Sequence, residues 1–391
     1  MVKYREGIHM ERKKKNTIRI TLYYVICVLC GAAIGFISTQ FYLVNGIGVH
    51  NLSLTQICIR LVLLIIAFML QLFLHEAGHL IFGLLSGYGF VSFRIFNIMI
   101  LNDHGHLLIR RLHLDGTAGQ CLMSPPEPVN GHIPGLLYNM GGILMNLLAG
   151  FAAMILIYVC NDNKELIEWL FQFVLFGVVF ALLNGIPFAS STISNDGANA
   201  IALESNPKAN RAFYLQMKMN AMLSEGVSLS GMPEEWFEVP DDADMENSLI
   251  ATIGVFACNR LMEQHRFTDM EHLIVHFMSI PNGINDIHWQ RLKCDLLYVR
   301  LLSGKQGEPI TSLLDAPVKK VMKTMKDFPS VIRTQYALAL LHDQDENRAE
   351  SFRKHMAEIS GSYPYHTDIM HENDLMILAK QQYRRNVEQV R

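Results

Sequence analysis

Apolar positions are spread unevenly along the chain. In the first half they merge into four runs, at roughly residues 20–44, 54–86, 134–160 and 166–187. Each is near the ~20 residues that a helix needs to cross a hydrocarbon layer. Between the second and third runs the period changes. "FVSFRIFNIMI" and "HLLIRRLHL" are rich in strand formers and flank "NDHG", so the segment 88–124 is expected to form a β-hairpin. "SPPEPVNGHIPG" reads as a Pro/Gly connector into the third run. After about residue 205 no run is long enough to span a bilayer. Apolar residues there recur with helical period in pieces at 247–267, 285–303, 332–343 and 346–359. "YALALLHDQDENRAESFRKHMAEI" predicts two antiparallel helices joined by a polar turn, a faint resemblance to a tetratricopeptide unit without a strict repeat. The expected fold class is an α-helical integral membrane protein with a small β-hairpin, followed by a soluble all-α domain.

Length and composition fit that division. A chain of 391 residues accommodates two or three domains, and 50% hydrophobic content with mean hydropathy +0.20 is high for a soluble protein. The expected organisation is a basic N-terminus (1–19), an additional membrane helix (20–44), a membrane core (54–200) and a helical domain (205–391). "MERKKKN" before the first run could open a signal peptide, but the apolar stretch is too long and no small-residue cleavage site closes it. Lys3, Arg5, Arg12, Lys13, Lys14 and Lys15 keep the N-terminus in the cytoplasm, while the outer loop 45–53 has no Lys or Arg. Arg94, Arg110 and Arg111 mark the next inner segment, and "NDNKE" forms a short outer loop. An even number of spans then returns the C-terminal domain to the cytoplasm. With no organellar targeting segment, the layout suits a bacterial plasma membrane. Arg60, near the outer end of its run, is expected to snorkel towards the interface. Seven scattered cysteines imply no disulfide framework, and Cys27 and Cys30 have no partner ligands nearby in sequence. The net charge of −3 does not select a partner, and nucleic acid is not expected.

"FLHEAGHL", inside the second apolar run, carries the candidate chemistry. Ionisable groups are costly inside a membrane and usually functional. On a helix, positions i and i+4 stand on one face, so His75 and His79 can offer imidazole nitrogens to one metal ion. Glu76 lies about 100° round the axis, beside the metal rather than on it. From there it can take a proton from water acidified by zinc and pass it to a leaving amine.

A catalytic zinc needs a third protein ligand and an open position. Asp162, Glu165 and Glu168 fall on the outer side, too far from the inner end of the second run. The inner-side carboxylates are Asp103, Asp115, Glu127 and Asp196. Asp196, directly after the fourth run and next to Gly197, is best placed.

"HEAGH" in one span, "GILMN" in the next, and "NGIP" followed by "NDG" after the last resemble the site-2 protease family of intramembrane zinc metalloproteases. The resemblance covers roughly residues 54–200. It implies a three-helix catalytic core, one Zn2+ per chain, and Asp196 as the third ligand beside His75 and His79. It also implies a broken helix end at Asn184 and Pro187, and a Gly-x-x-x-Asn element in Gly142 and Asn146 that brings Asn146 near the zinc as a polar stabiliser of the reacting carbonyl. This chain departs from the family by carrying about four extra residues in "FASSTISN", between Pro187 and Asp196. The outer loops are too short for a PDZ-like insert.

Other residues have plainer readings. Gly142, Asn146 and Gly150 form a small, polar stripe that packs helices closely in lipid. His104, His106 and His113 lack a surrounding ligand set, and His272 and His276 share the HExxH spacing without its glutamate. An exposed hairpin edge could hold an unwound substrate by main-chain hydrogen bonds, or the hairpin could merely shield the site. The expected function is hydrolysis of peptide bonds in or next to transmembrane or signal-peptide-like segments near the cytoplasmic face, with the helical domain recruiting substrate or a protein partner. The alternatives are an inactive relative that binds membrane proteins, and a membrane-anchored helical scaffold acting through residues 205–391.

Overall fold

The computed structural model describes residues 2–45, 53–112, 117–160, 162–189, 194–305 and 307–390. Contacts divide it into two compact units: Met1–Ser86 with Pro134–Ser205, and Gly87–Ile133 with Asn206–Arg391. The strand-forming segment therefore goes with the C-terminal helices, and not with the apolar helices that flank it in sequence.

The first unit holds α1 (Val2–Val44), α2 (Leu54–Leu85), α3 (Gly135–Val159), α4 (Lys164–Gly185) and the shorter α5 (Asp196–Ser205). Among the described residues, four stretches are long and apolar enough to cross a membrane: Tyr23–Val44 and the whole of α2, α3 and α4. Their starts follow local chemistry. Ser53 and Gln56 close a capping box on α2, and Asn163 caps α4. α2, α3 and α4 pack on one another, with α5 against α3 and α4. α2 and α3 cross at Gly78 and Gly141, where a Cβ on either residue would run into the other's carbonyl oxygen. Only glycine permits this approach. The outward residues Ile59, Val62, Leu148 and Phe151 stay exposed.

α1 stacks on α4 and on the segment just after it. The Tyr23 ring stacks on Phe188 with centroids 4.1 Å apart, and Phe41 stacks on Phe171 at 3.7 Å. Arg60 departs from the sequence expectation. Its Nη2 lies 3.1 Å from Glu168 Oε2, so α2 and α4 share an ion pair. Pairing inside the helix bundle removes the need for Arg60 to reach an interface alone.

The second unit corrects the expected hairpin to a four-stranded antiparallel sheet of order β3-β2-β1-β4, built from β1 (Gly89–Ile95), β2 (Ile98–Asp103), β3 (His106–Arg111) and β4 (Gly119–Ser124). The "NDHG" turn is where it was expected. His104 and Gly105 have φ of 49° and 88°, as a two-residue hairpin turn of this hand requires. "FVSFRIFNIMI" is divided by a second turn at Phe96, φ 52°, and β4 pairs with β1 although "GQCLMS" carries little strand signal. His113 and Asp115 lie outside the described residues.

Met99, Leu101 and Leu112 bury one side of this segment in the core of the C-terminal helices. These are α6 (Pro207–Ser224), α7 (Ser248–Glu263), α8 (Phe267–Ser279), α9 (Asp286–Leu302), the short α10 (Glu308–Thr311), α11 (Ala316–Thr324), α12 (Pro329–Ala337), α13 (Glu346–Ser360) and α14 (His366–Val390). α12 and α13 are the expected helical pair, joined after a π-helical turn at Leu338–His342. At the centre, fully buried Arg333 lies 2.5 Å from Asp295 on α9 and 2.8 Å from Glu372 on α14, a clamp across three helices. His272 and His276 are exposed, and His276 contacts Asp242 at 2.8 Å.

Candidate metal centre

α2 turns one polar edge inward. Gln71, His75, Glu76 and His79 are all buried, among Ala67, Leu72, Gly78 and Gly83. The two histidines stand one turn apart, with Nε2 atoms 3.3 Å from each other. Asp196, the first residue of α5, brings Oδ2 to 3.2 Å from His75 Nε2 and 3.4 Å from His79 Nε2. Among the described residues, His75, His79 and Asp196 are the group of ligand-type side chains that could hold a metal ion.

The triangle they form fits zinc. Tetrahedral ligands at bond lengths near 2.0–2.1 Å are about 3.3 Å apart, and the three edges here are 3.2, 3.3 and 3.4 Å. Hydrogen bonding orients the atoms to match. His79 Nδ1 is 2.8 Å from the carbonyl oxygen of Tyr138, which can only accept, so Nδ1 carries the proton and Nε2 keeps its lone pair. His75 Nδ1 likewise meets Asn146 Oδ1 at 2.7 Å. Such partners fix the tautomer of metal-binding histidines. Two imidazole lone pairs and a carboxylate oxygen thus converge on one point, where they could hold a metal ion.

Neighbouring residues explain how Asp196 arrives there. Asn195, buried, is tied in several directions. Its Nδ2 donates to the carbonyls of Leu183 (2.7 Å) and Ile186 (2.6 Å) at the end of α4. Its Oδ1 accepts from Phe188 N (2.9 Å) and from Ala198 N (3.1 Å) in the first turn of α5. Phe188 O also receives the Asn195 backbone N–H, and Ala189 bridges Ser194. These bonds join Phe188 and Ala189 to Ser194 and Asn195, and residues 190–193 between them lie outside the described residues. Gly197 sits so close to the Gly185 carbonyl that a side chain there would collide with it.

The other sequence candidates divide. Gly142 admits the His75 ring, since a Cβ there would lie 2.5 Å from Cε1. Gly150 has nothing within 4 Å of such a Cβ, so the stripe is not one uniform packing surface. Asn146 is fully buried and its amide is engaged on both ends, by His75 and by Gln71. In this geometry its oxygen orients the His75 ring. Asn184 donates to Phe180 O of its own helix at 3.0 Å, and Pro187 follows the end of α4, so both shape the helix end. Glu127 belongs to the second unit and bonds Tyr214 and Lys218 at 2.9 Å each. Gln71 and Asn195 were not singled out from sequence. The signals were available: Gln71 lies one turn before His75 on the same face, and Asn195 holds a helix-capping position.

Compared with protein-family models, with curated proteins and with solved structures, the chain finds no match. The class that fold and site define is a mostly helical protein with, among the described residues, four helices apolar enough to span a membrane and a cluster of two buried histidines and a half-buried aspartate able to take a metal ion.

Proposed function

We propose that the chain is an intramembrane zinc metalloprotease of the site-2-protease type, cutting transmembrane or signal-peptide-like segments near the cytoplasmic face. The observation that carries the reading is the convergence of His75 Nε2, His79 Nε2 and Asp196 Oδ2 at tetrahedral spacing, with Glu76 buried one residue from His75. Asn195 supports it, because its four bonds absorb the loop insertion and let Asp196 meet the histidines.

Zinc held there would supply Lewis acidity, polarising a peptide carbonyl and making water a stronger acid. His75 and His79 would hold it through Nε2, while Asn146 and the Tyr138 carbonyl keep their rings from turning. Asp196 contributes negative charge at the start of α5, where the helix dipole favours it. Glu76 takes a proton from the attacking water on its carboxylate and passes it to the leaving amine nitrogen. Burial of His75, Glu76 and His79 limits bulk water and strengthens these electrostatic contacts. The basic N-terminus orients the chain with both ends in the cytoplasm, where the C-terminal helices would recruit a substrate or partner.

The test is cleavage of a tagged membrane substrate by the full-length protein. Glu76→Gln is expected to keep zinc and lose activity by about 10²–10⁴-fold. His75→Ala/His79→Ala is expected to lose the zinc itself. Equal cleavage by wild type and Glu76→Gln would overturn the assignment, and a zinc-binding wild type that cuts nothing would favour the inactive relative.

A further inference from the structure

Gln71 has no task in that chemistry, yet its side chain is fully buried in an apolar helix. A buried amide is costly unless both ends are bonded. Here they are. Nε2 donates to the Phe173 carbonyl on α4 at 2.9 Å, and Oε1 accepts from Asn146 Nδ2 at 2.7 Å. The same Asn146 nitrogen donates to the backbone carbonyl of Gln71 at 2.9 Å, leaving Asn146 Oδ1 for His75.

The polarity of this chain of bonds has one solution. A backbone carbonyl only accepts, so Phe173 draws the nitrogen end of Gln71 and turns its oxygen to Asn146. That oxygen, with the Gln71 carbonyl, holds the Asn146 NH2 group away from His75. The Asn146 oxygen must then receive Nδ1–H, and the His75 lone pair is left on Nε2. Gly177 makes the arrangement possible, because a Cβ there would stand 2.8 Å from Gln71 Nε2.

We propose that Gln71, seated against Gly177, is a positioning residue that sets the His75 tautomer through Asn146 and so presents Nε2 to the metal. The inference rests on the zinc reading for its purpose, but the bond polarity does not depend on a metal. Without the Gln71 amide, Asn146 is held by a single carbonyl and can turn its NH2 towards His75. The ring then accepts at Nδ1 and carries its proton on Nε2, which blocks the ligand position.

The experiment uses full-length protein in detergent with ¹⁵N-labelled histidine, the His75 signals being assigned by their loss in His75→Gln. Zinc-free wild type is expected to show a protonated Nδ1 and a bare Nε2. Gln71→Leu and Gly177→Ala, each removing the contact from one side, are expected to show mixed tautomers and about tenfold weaker zinc binding by chelator competition. Variants that melt like wild type and retain both its tautomer and its zinc affinity would overturn the proposal, leaving Gln71 as packing. A wild type that binds no zinc would remove the metal reading alone, since the tautomer comparison in zinc-free protein still decides the role of Gln71.

Discussion

Single side chains decide whether the three ligand atoms meet. Asn195 is the most consequential of those outside the ligand set, because one amide joins the end of α4, the loop and the start of α5. Asn195→Ala removes all four bonds at once. Zinc affinity is expected to fall by about ten- to a hundredfold, read by chelator competition, with the four long helices retained by circular dichroism. A different residue governs the response to pH. Burial, reinforced by the nearby Glu372 carboxylate, pushes the Asp368 carboxyl up to about 7. Its unfolded value is ~3.9, so between those limits the folded state holds a proton that the unfolded state releases. The stabilising contribution is complete below about pH 4 and is lost as pH rises through 7. Melting temperature followed across that window should fall less in Asp368→Asn than in wild type.

Helices were far more legible than strands, for a physical reason. Long apolar runs leave a chain few alternatives to a membrane-spanning helix, and all four stretches lie within a few residues of their expected limits, although α1 extends back to Val2. β4 was invisible because its pairing with β1 depends on a neighbour distant in sequence, not on its own composition. The clustering of His75, His79 and Asp196 was legible, the histidines from their helical spacing and Asp196 from its place directly after the fourth apolar run. What could not be read was the bonding that fixes it, since Tyr138 acts through its backbone and Arg60 finds Glu168 only once α2 and α4 lie side by side. The helix contacts make two predictions. Gly78→Ala is expected to force α2 from α3, at about 1–3 kcal/mol, and to release zinc, whereas Gly150→Ala, with open space around it, should do neither. Unfolding in detergent with zinc analysis distinguishes them. For the ion pair, Glu168→Leu alone should destabilise by about 3 kcal/mol, and Arg60→Met/Glu168→Leu together should recover most of it.

At the scale of the molecule, the ligands, Asn146, Gln71 and Asn195 all belong to the first unit, while the sheet shares its core with helices beyond residue 206. Stopping the chain after residue 205 should therefore separate two properties. Zinc binding is expected to persist, while residues 87–133 become sensitive to protease because Met99, Leu101 and Leu112 lose their covering; limited proteolysis with metal analysis reads both. The same discontinuity bears on how the protein is made. A ribosome releases β1 to β4 before α3 and α4, and long before the helices that bury them. The sheet must wait, with an apolar face and unpaired edges open, while two more long apolar helices are made. Synthesis thus imposes a schedule that the finished fold conceals. The nascent strands are the stretch a chaperone would need to guard, and the enclosure of the sheet is delayed until translation is almost done.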